Sequence, residues 1–161
     1  MEERPEALAT WYGSTYRRLV ASLIIALGDP EAAREAADEA FFRAFVRWRR
    51  VSAMNSPTGW TYRVALNVAR RRLRRSAIER RLMARRETVL QAAGGEVWAL
   101  LDELPTRQRT AVALRYGADM TEADIAAVMG LSRGTVSSAL VDARRRLAKL
   151  LMDEGEENDY V

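Results

Sequence analysis

The stretch LPTRQRTAVALRYGADMTEADIAAVMGLSRGTVSSALVDARRRLAKLL, Leu104 to Leu151, constrains the fold more than any other part of this chain. Its apolar residues recur at helical spacing in short runs separated by a turn. Ile125, Ala126 and Met129 make the inner stripe of a helix that opens around Thr121. Gly130 supplies the turn, where a left-handed backbone is accessible without a Cβ. Leu131 plugs the core beneath the turn, and Ser132 has the side chain of a helix cap. Val136, Ala139 and Leu140 resume the apolar repeat and so turn Arg133, Thr135, Ser137 and Ser138 outward. Two helices so related form a helix-turn-helix, whose second helix enters the DNA major groove with its N-terminal residues at base edges. An ordinary helical hairpin with a glycine turn would share the spacing, but it has no need of the basic run Arg144-Arg145-Arg146 that follows.

Charge, read by segment, points to the same kind of partner. The whole chain carries only +4, yet residues 43–86 hold 14 arginines and one acid, Glu79. Residues 106–151 carry +4, while residues 1–42 and 87–105 each carry −4 and the last ten residues −5. Two basic blocks alternate with acidic ones, as two DNA-facing surfaces on one molecule would require. Arginine makes up all of the basic residues except Lys149, which suits phosphate and base recognition and equally suits a biased genome composition.

Other classes are excluded by what is missing. The chain has no Cys and no His, so disulfides, thiolate metal sites and imidazole acid–base chemistry are all ruled out. Carboxylates would have to carry any catalysis, and Glu35, Asp38 and Glu39 sit on an amphipathic helix without a Gly-rich loop or metal-spaced cluster. No enzyme activity, catalytic residue, metal or cofactor is therefore expected. No apolar run reaches the roughly eighteen residues of a membrane span, and the N-terminus MEERPEAL lacks a secretory leader. A cytoplasmic protein without membrane insertion is the expectation.

The rest of the chain reads as helix. Trp11, Tyr12, Tyr16, Leu19, Val20, Leu23, Ile24 and Leu27 keep a three-four spacing that ends at Gly28. Asp29-Pro30 starts a second helix by the cap-plus-proline signal, with Ala33, Ala37, Ala40, Phe41, Ala44, Phe45 and Trp48 on its inner face. A polar loop from Arg49 to Ser56 precedes a third helix, from Pro57 to at least Arg75. The fold class is all-α, with two small helical domains joined by a linker, the second a helix-turn-helix of winged-helix-like type. The boundaries are residues 1–75 for the first domain, 76–97 for the linker, 98–152 for the second domain and 153–161 for an acidic tail. That tail, DEGEENDYV, reads as solvated disorder.

The third helix carries a second signal. Arg63, Asn67, Arg70 and Arg74 form one polar stripe, while Tyr62, Leu66, Ala69 and Leu73 form an apolar one. Trp60 stands at the helix start. Cations that hold phosphates, beside an aromatic ring that stacks on a base, suit single-stranded DNA. A solvated helix face would interleave acids with these arginines, and here acids are almost absent. Trp60 fits a core role as well as a base contact.

Three stretches occur in order: LGDPEAAREAADEAFFRAF, SPTGWTYRVALNVARRRLRR, and LDELPTRQRTAVALRY followed by IAAVMGLSRGTVSSALVDARRRL. Together they resemble an extracytoplasmic-function sigma factor of bacterial RNA polymerase, from about Leu8 to Leu151. The resemblance implies two helical domains corresponding to sigma regions 2 and 4, without cofactor or catalytic chemistry. It implies core RNA polymerase as partner, through the beta-prime clamp helices and the beta flap. Promoter DNA is the second partner, opened at the minus-ten element and read as duplex at the minus-thirty-five element. An anti-sigma factor is a possible third.

By the same resemblance, polymerase binding falls on Glu35, Asp38, Glu39, Phe42 and Arg43. Phe42 fits either the contact or the core. Minus-ten recognition falls on the loop Val51–Ser56 and on Trp60, Arg63, Asn67, Arg70 and Arg74. Minus-thirty-five recognition falls on Arg133, Thr135, Ser137 and Ser138, with Arg144 and Arg145 near the backbone. Three departures from the family pattern stand out: Arg34-Glu35 where an acidic pair is common, Ser137 and Ala139 where basic residues are frequent, and Arg80, Arg81, Arg85 and Arg86 in the linker. A linker of about 22 residues spans roughly 70 Å extended or about 33 Å as helix, enough to reach elements one to two duplex turns apart. The alternative is a one-component helix-turn-helix regulator with residues 1–75 as a dimerisation or ligand domain. The arginine face of the third helix argues against it.

Overall fold

Helix boundaries fall where the capping residues put them. The computed structural model describes residues 3–80 and 95–158. α1 runs Glu3–Leu27 and α2 Pro30–Val46. The Asp29 carboxylate starts α2 by accepting from the backbone N–H groups of Glu31 and Ala32, at 3.1 and 3.0 Å. A short α3 spans Trp48–Val51. Ser56 Oγ then accepts from Gly59 N at 3.0 Å and opens α4, Pro57–Arg80. The second unit contains α5, Gly95–Asp102, α6, Thr106–Val112, a single π-helical turn, Ala113–Gly117, α7, Glu122–Met129, and α8, Arg133–Asn158.

Five expectations change. α8 continues helical to Asn158, through most of the segment expected to be a tail without regular structure. An acidic sequence does not end a helix that packing and propensity have already nucleated. No strand occurs among the described residues, so the second unit has the helices of a winged-helix-like domain without a β wing. Phe45, assigned to the inner face of α2, is instead 63% exposed. The helix stops at Val46, so Trp48 belongs to the separate turn α3. Val51, placed in the DNA-contacting loop, is instead the fully buried last residue of α3. Arg81, Arg85 and Arg86 of the expected linker lie outside the described residues.

In the first unit, α2 packs against both α1 and α4. Small residues make this possible: Ala33, Ala36, Ala37, Ala40 and Ala44 give α2 a smooth buried face against which Leu19, Leu23, Tyr62 and Leu66 close. In the second unit, α8 packs against α6 and α7 through Val136, Ala139, Leu140 and Ala143. The two units also dock on each other. α1 meets α6 and the π turn, and α4 meets α7, so one continuous cluster of buried apolar residues runs through both units.

The tightest point of this docking is Gly117. A Cβ there would stand 2.9 Å from Ser22 Oγ and 3.6 Å from Ile25 Cδ1 of α1. Ser22 is buried, donates to the Arg18 carbonyl at 2.8 Å and lies 3.5 Å from Tyr62 Oη of α4. Three elements from both units thus meet at one hydroxyl.

Candidate nucleic-acid interface

Both helices of the helix-turn-helix start at side-chain caps, Thr121 for α7 and Ser132 for α8. Thr121 Oγ1 accepts from Asp124 N at 3.2 Å, and the Asp124 carboxylate accepts from Thr121 N at 3.3 Å and from its hydroxyl at 2.6 Å. This reciprocal capping satisfies N–H groups at the start of α7 that would otherwise lack partners. Gly130 closes α7 with φ +68°, and Leu131 N donates to the Ala126 carbonyl at 3.0 Å. Ser132 Oγ accepts from Thr135 N at 3.1 Å and starts α8. Ile125, Ala126, Met129, Val136, Ala139 and Leu140 are all buried, as their spacing predicts.

The residues expected to read duplex DNA divide by accessibility. Arg133 and Ser138 are exposed, whereas Thr135 and Ser137 are half-buried. The Thr135 hydroxyl lies 2.7 Å from that of Ser132, so it is engaged in the cap as well as available at the surface. Arg144 and Arg145 follow along the exposed side of α8. Arg144 Nε donates to the Leu140 carbonyl at 3.2 Å, and Arg145 lies 3.6 Å from Asp142. Sequence periodicity missed the contribution of α6. Arg107 and Gln108 line an open cleft of about 500 Å³ with Thr135, Ser138 and Asp142, which includes two of the expected reading residues.

On α4 the polar stripe lies on the surface. Arg63, Asn67, Arg70 and Arg74 are exposed, while Tyr62, Ala65, Leu66 and Ala69 are buried on the opposite side. No ion pair ties any of these three arginines to an acid among the described residues. Trp60 is half-buried at the start of the same helix. An open row of guanidinium groups is costly in self-repulsion unless a polyanion covers it.

Three acids of α2, Glu35, Asp38 and Glu39, are engaged. Glu35 pairs with Arg72 of α4. The Tyr16 hydroxyl of α1 donates to Asp38 at 2.6 Å, and Arg43 Nε donates to Glu39 at 2.6 Å. The bond to Asp38, reinforced by burial, pushes the Tyr16 pKa up to about 12. Tyr16 and Arg72 were not foreseen, because cross-helix pairs leave no local spacing in a sequence. Phe42 is settled as a surface residue at 63% exposure. With Leu8, Tyr12, Phe41, Phe45 and Trp48 it lines an open apolar groove of about 710 Å³ between α1 and α2, and Asp38 stands at its edge. Trp11 supports the groove from below, its ring 4.8 Å from Phe41 and 5.0 Å from Trp48. Among the described residues no three metal-ligating side chains converge, and no helix is long and apolar enough to cross a membrane.

Comparison with known proteins agrees with this division into two functional units. The sigma-70 region 2 family matches residues 8–78, and the sigma-70 region 4 family matches residues 94–147. The chain belongs to the sigma-70 family, with the pairing of regions 2 and 4 that marks the extracytoplasmic-function sigma factors its motifs resemble. Its fold is similar to the sigma factor RpoE of Bartonella quintana, solved with the anti-sigma factor NepR. That match has a TM-score of 0.79 and 20% identity, covering 91% of this chain and 98% of the other. It is also similar to CnrH, solved with the cytosolic domain of CnrY, at a TM-score of 0.67 and 22% identity, covering 92% and 90%. No curated protein matches by sequence.

Proposed function

We propose that this chain binds core RNA polymerase and directs it to promoters. In this reading α8 reads duplex DNA at the minus-thirty-five element, and α4 holds the opened minus-ten element. The observation that carries the reading is the pairing, in one chain of this family, of a capped helix-turn-helix with the exposed arginine stripe of α4. Duplex reading needs a rigid helix end with exposed donors, which Arg133 and Ser138 supply. Holding an unpaired strand needs phosphate contacts and a surface for bases, which Arg63, Arg70 and Arg74 with Asn67 and Trp60 supply. The acids Glu35, Asp38 and Glu39, with Phe42 and Arg43 beside the apolar groove, are assigned to the polymerase. An apolar centre rimmed by charge is the composition of a protein–protein contact. An anti-sigma protein is assigned to the same exposed surfaces, as the complex of the similar Bartonella quintana RpoE with NepR suggests.

Run-off transcription with purified core polymerase tests the reading, and two variants separate its parts. Arg133→Ala should weaken binding of the holoenzyme to closed duplex promoter, with a smaller loss on a template already melted at the minus-ten element. Asn67→Ala should leave minus-thirty-five binding intact and impair opening. Equal losses for both variants on duplex carrying only the minus-thirty-five element would refute the division. Tight, sequence-specific promoter binding by the chain without polymerase would favour a one-component regulator instead.

A further inference from the structure

Arg133 occupies an unusual electrostatic position. It is the first residue of α8, where the unpaired N–H groups of a helix give a partial positive charge that disfavours a cation. It is also 77% exposed, so packing does not hold it there. Across the turn, the Glu122 carboxylate of α7 stands 3.7 Å from Arg133 Nε, and Glu122 is only 32% exposed. Glu122 is the first residue of its own helix, where the same partial charge favours an acid. Both backbones are fixed, one by the Thr121–Asp124 caps and the other by Ser132. The acid and the base therefore face each other from two immobilised helix starts.

The magnitude of this pair argues against a role in holding the fold. At 3.7 Å it is too long for a good hydrogen bond, and exposed ion pairs contribute little to stability. Its geometry matters more. Nε is the nitrogen nearest Glu122 and the side chain is 77% exposed, which leaves the two terminal nitrogens of the guanidinium accessible to a ligand. That edge offers a parallel pair of donors, the arrangement that matches O6 and N7 of guanine.

We propose that Glu122 is a specificity-determining positioning residue, which aims the guanidinium of Arg133 at a base edge and keeps it from nearby phosphates. The inference rests on the assignment of α8 as the duplex reader. A carboxylate at the rim of the reading surface repels the DNA backbone generally. It tolerates DNA best when Arg133 is engaged between the acid and a base. Glu122 therefore lowers non-specific binding and sharpens the preference at one base pair.

The test uses holoenzyme reconstituted with the full chain and a duplex pool randomised over one helical turn. Arg133→Ala first identifies the position whose base preference depends on Arg133. Glu122→Gln, which keeps the shape and removes the charge, should reduce the preference at that position by about threefold to fivefold, the scale of an exposed ion pair. At the same time binding to unselected random duplex should rise, and its salt dependence should steepen by about one phosphate contact. Glu122→Asp should restore much of the preference. A purely structural role would lower specific and random binding together, and that result overturns the proposal. So does an unchanged base preference in Glu122→Gln while Arg133→Ala abolishes it. If Arg133→Ala leaves every position unchanged, the base-reading assignment of Arg133 itself fails and the proposal falls with it.

Discussion

Replacing Gly117 with alanine places a Cβ 2.9 Å from Ser22 Oγ, well inside the ~3.5 Å at which non-bonded atoms attract. Ser22 has no free direction in which to turn. It is buried, donates to the Arg18 carbonyl at 2.8 Å and faces Tyr62 Oη at 3.5 Å. Rotation would give up a buried hydrogen bond, about 1 kcal/mol. Keeping the rotamer overpacks the junction by about 1–3 kcal/mol. Alanine also restricts the unfolded chain, which returns about 0.4–1 kcal/mol. The net expectation is a loss of about 1–2 kcal/mol, or a fall in Tm of about 2–8 °C. Ser22→Ala alone should cost about 1 kcal/mol through the lost hydrogen bond. In the double variant the offending oxygen is gone, and the next neighbours, Ile25 Cδ1 and Ser22 Cα, stand at an ordinary 3.6 Å. The double variant should therefore be about as stable as Ser22→Ala, a coupling of about 1–2 kcal/mol between residues of the two units. Urea denaturation of the four proteins measures it. Additivity within about 0.5 kcal/mol would refute the contact. A reduced m-value in Gly117→Ala alone would show that the native state had already exposed the junction.

The folded state holds the Tyr16 proton more tightly than the unfolded chain, because its pKa is raised from 10.0 to about 12 by the bond to Asp38. The stabilisation is complete below about pH 10 and is lost as pH climbs toward about 12. Tyr16→Phe should flatten this alkaline loss in pH-dependent denaturation, leaving a residue from Tyr62, whose pKa burial also raises. An unchanged alkaline limb would count against the bond. Asp119 adopts φ 54°, a left-handed backbone that aspartate tolerates and β-branched residues do not. Asp119→Gly should change stability by no more than about 1 kcal/mol, while Asp119→Val should lower it by about 1–2 kcal/mol; equal stability of the two would refute the strain.

Local chemistry was legible in the sequence, and contacts between distant elements were not. Asp29, Ser56, Thr121 and Ser132 announce their helices because a cap acts within three residues. Gly130 announces the turn for the same reason, and the apolar stripes of α4, α7 and α8 follow from a 3.6-residue period. Phe45 and Phe42 show where periodicity fails. Near the end of α2 both rings lie at the margin of the buried stripe, and only the path of α1 decides that they line an open groove. Tyr16 and Arg72 reach acids on a different helix, so no spacing in the sequence marks them. The π turn at Ala113–Gly117 was invisible for a related reason. It accommodates one extra residue where the second unit docks on α1, and no local spacing marks it. Glu122 carries no mark in the sequence beyond that of a first-turn acid, because only the fold brings Arg133 to it across the turn.

The docking of the two units bears directly on the proposed function. Promoter elements one to two duplex turns apart are separated by roughly 34 Å per turn, whereas α7 packs on α4 and α6 on α1 in this arrangement. In the proposed reading α7 belongs to the duplex reader and α4 to the strand holder, and reading both elements at once would then require the two units to separate. The apolar contacts between them then oppose promoter engagement by the free chain. If the separated form is about 1% of the population, every affinity that depends on it falls about a hundredfold. Core polymerase, by binding each unit on its own surface, can supply the free energy that separation requires. The clash at Gly117 consequently acts with opposite signs on two quantities. It lowers the stability of the docked chain and, in the proposed reading, raises the fraction able to engage polymerase and promoter, because the same contact holds the two units together.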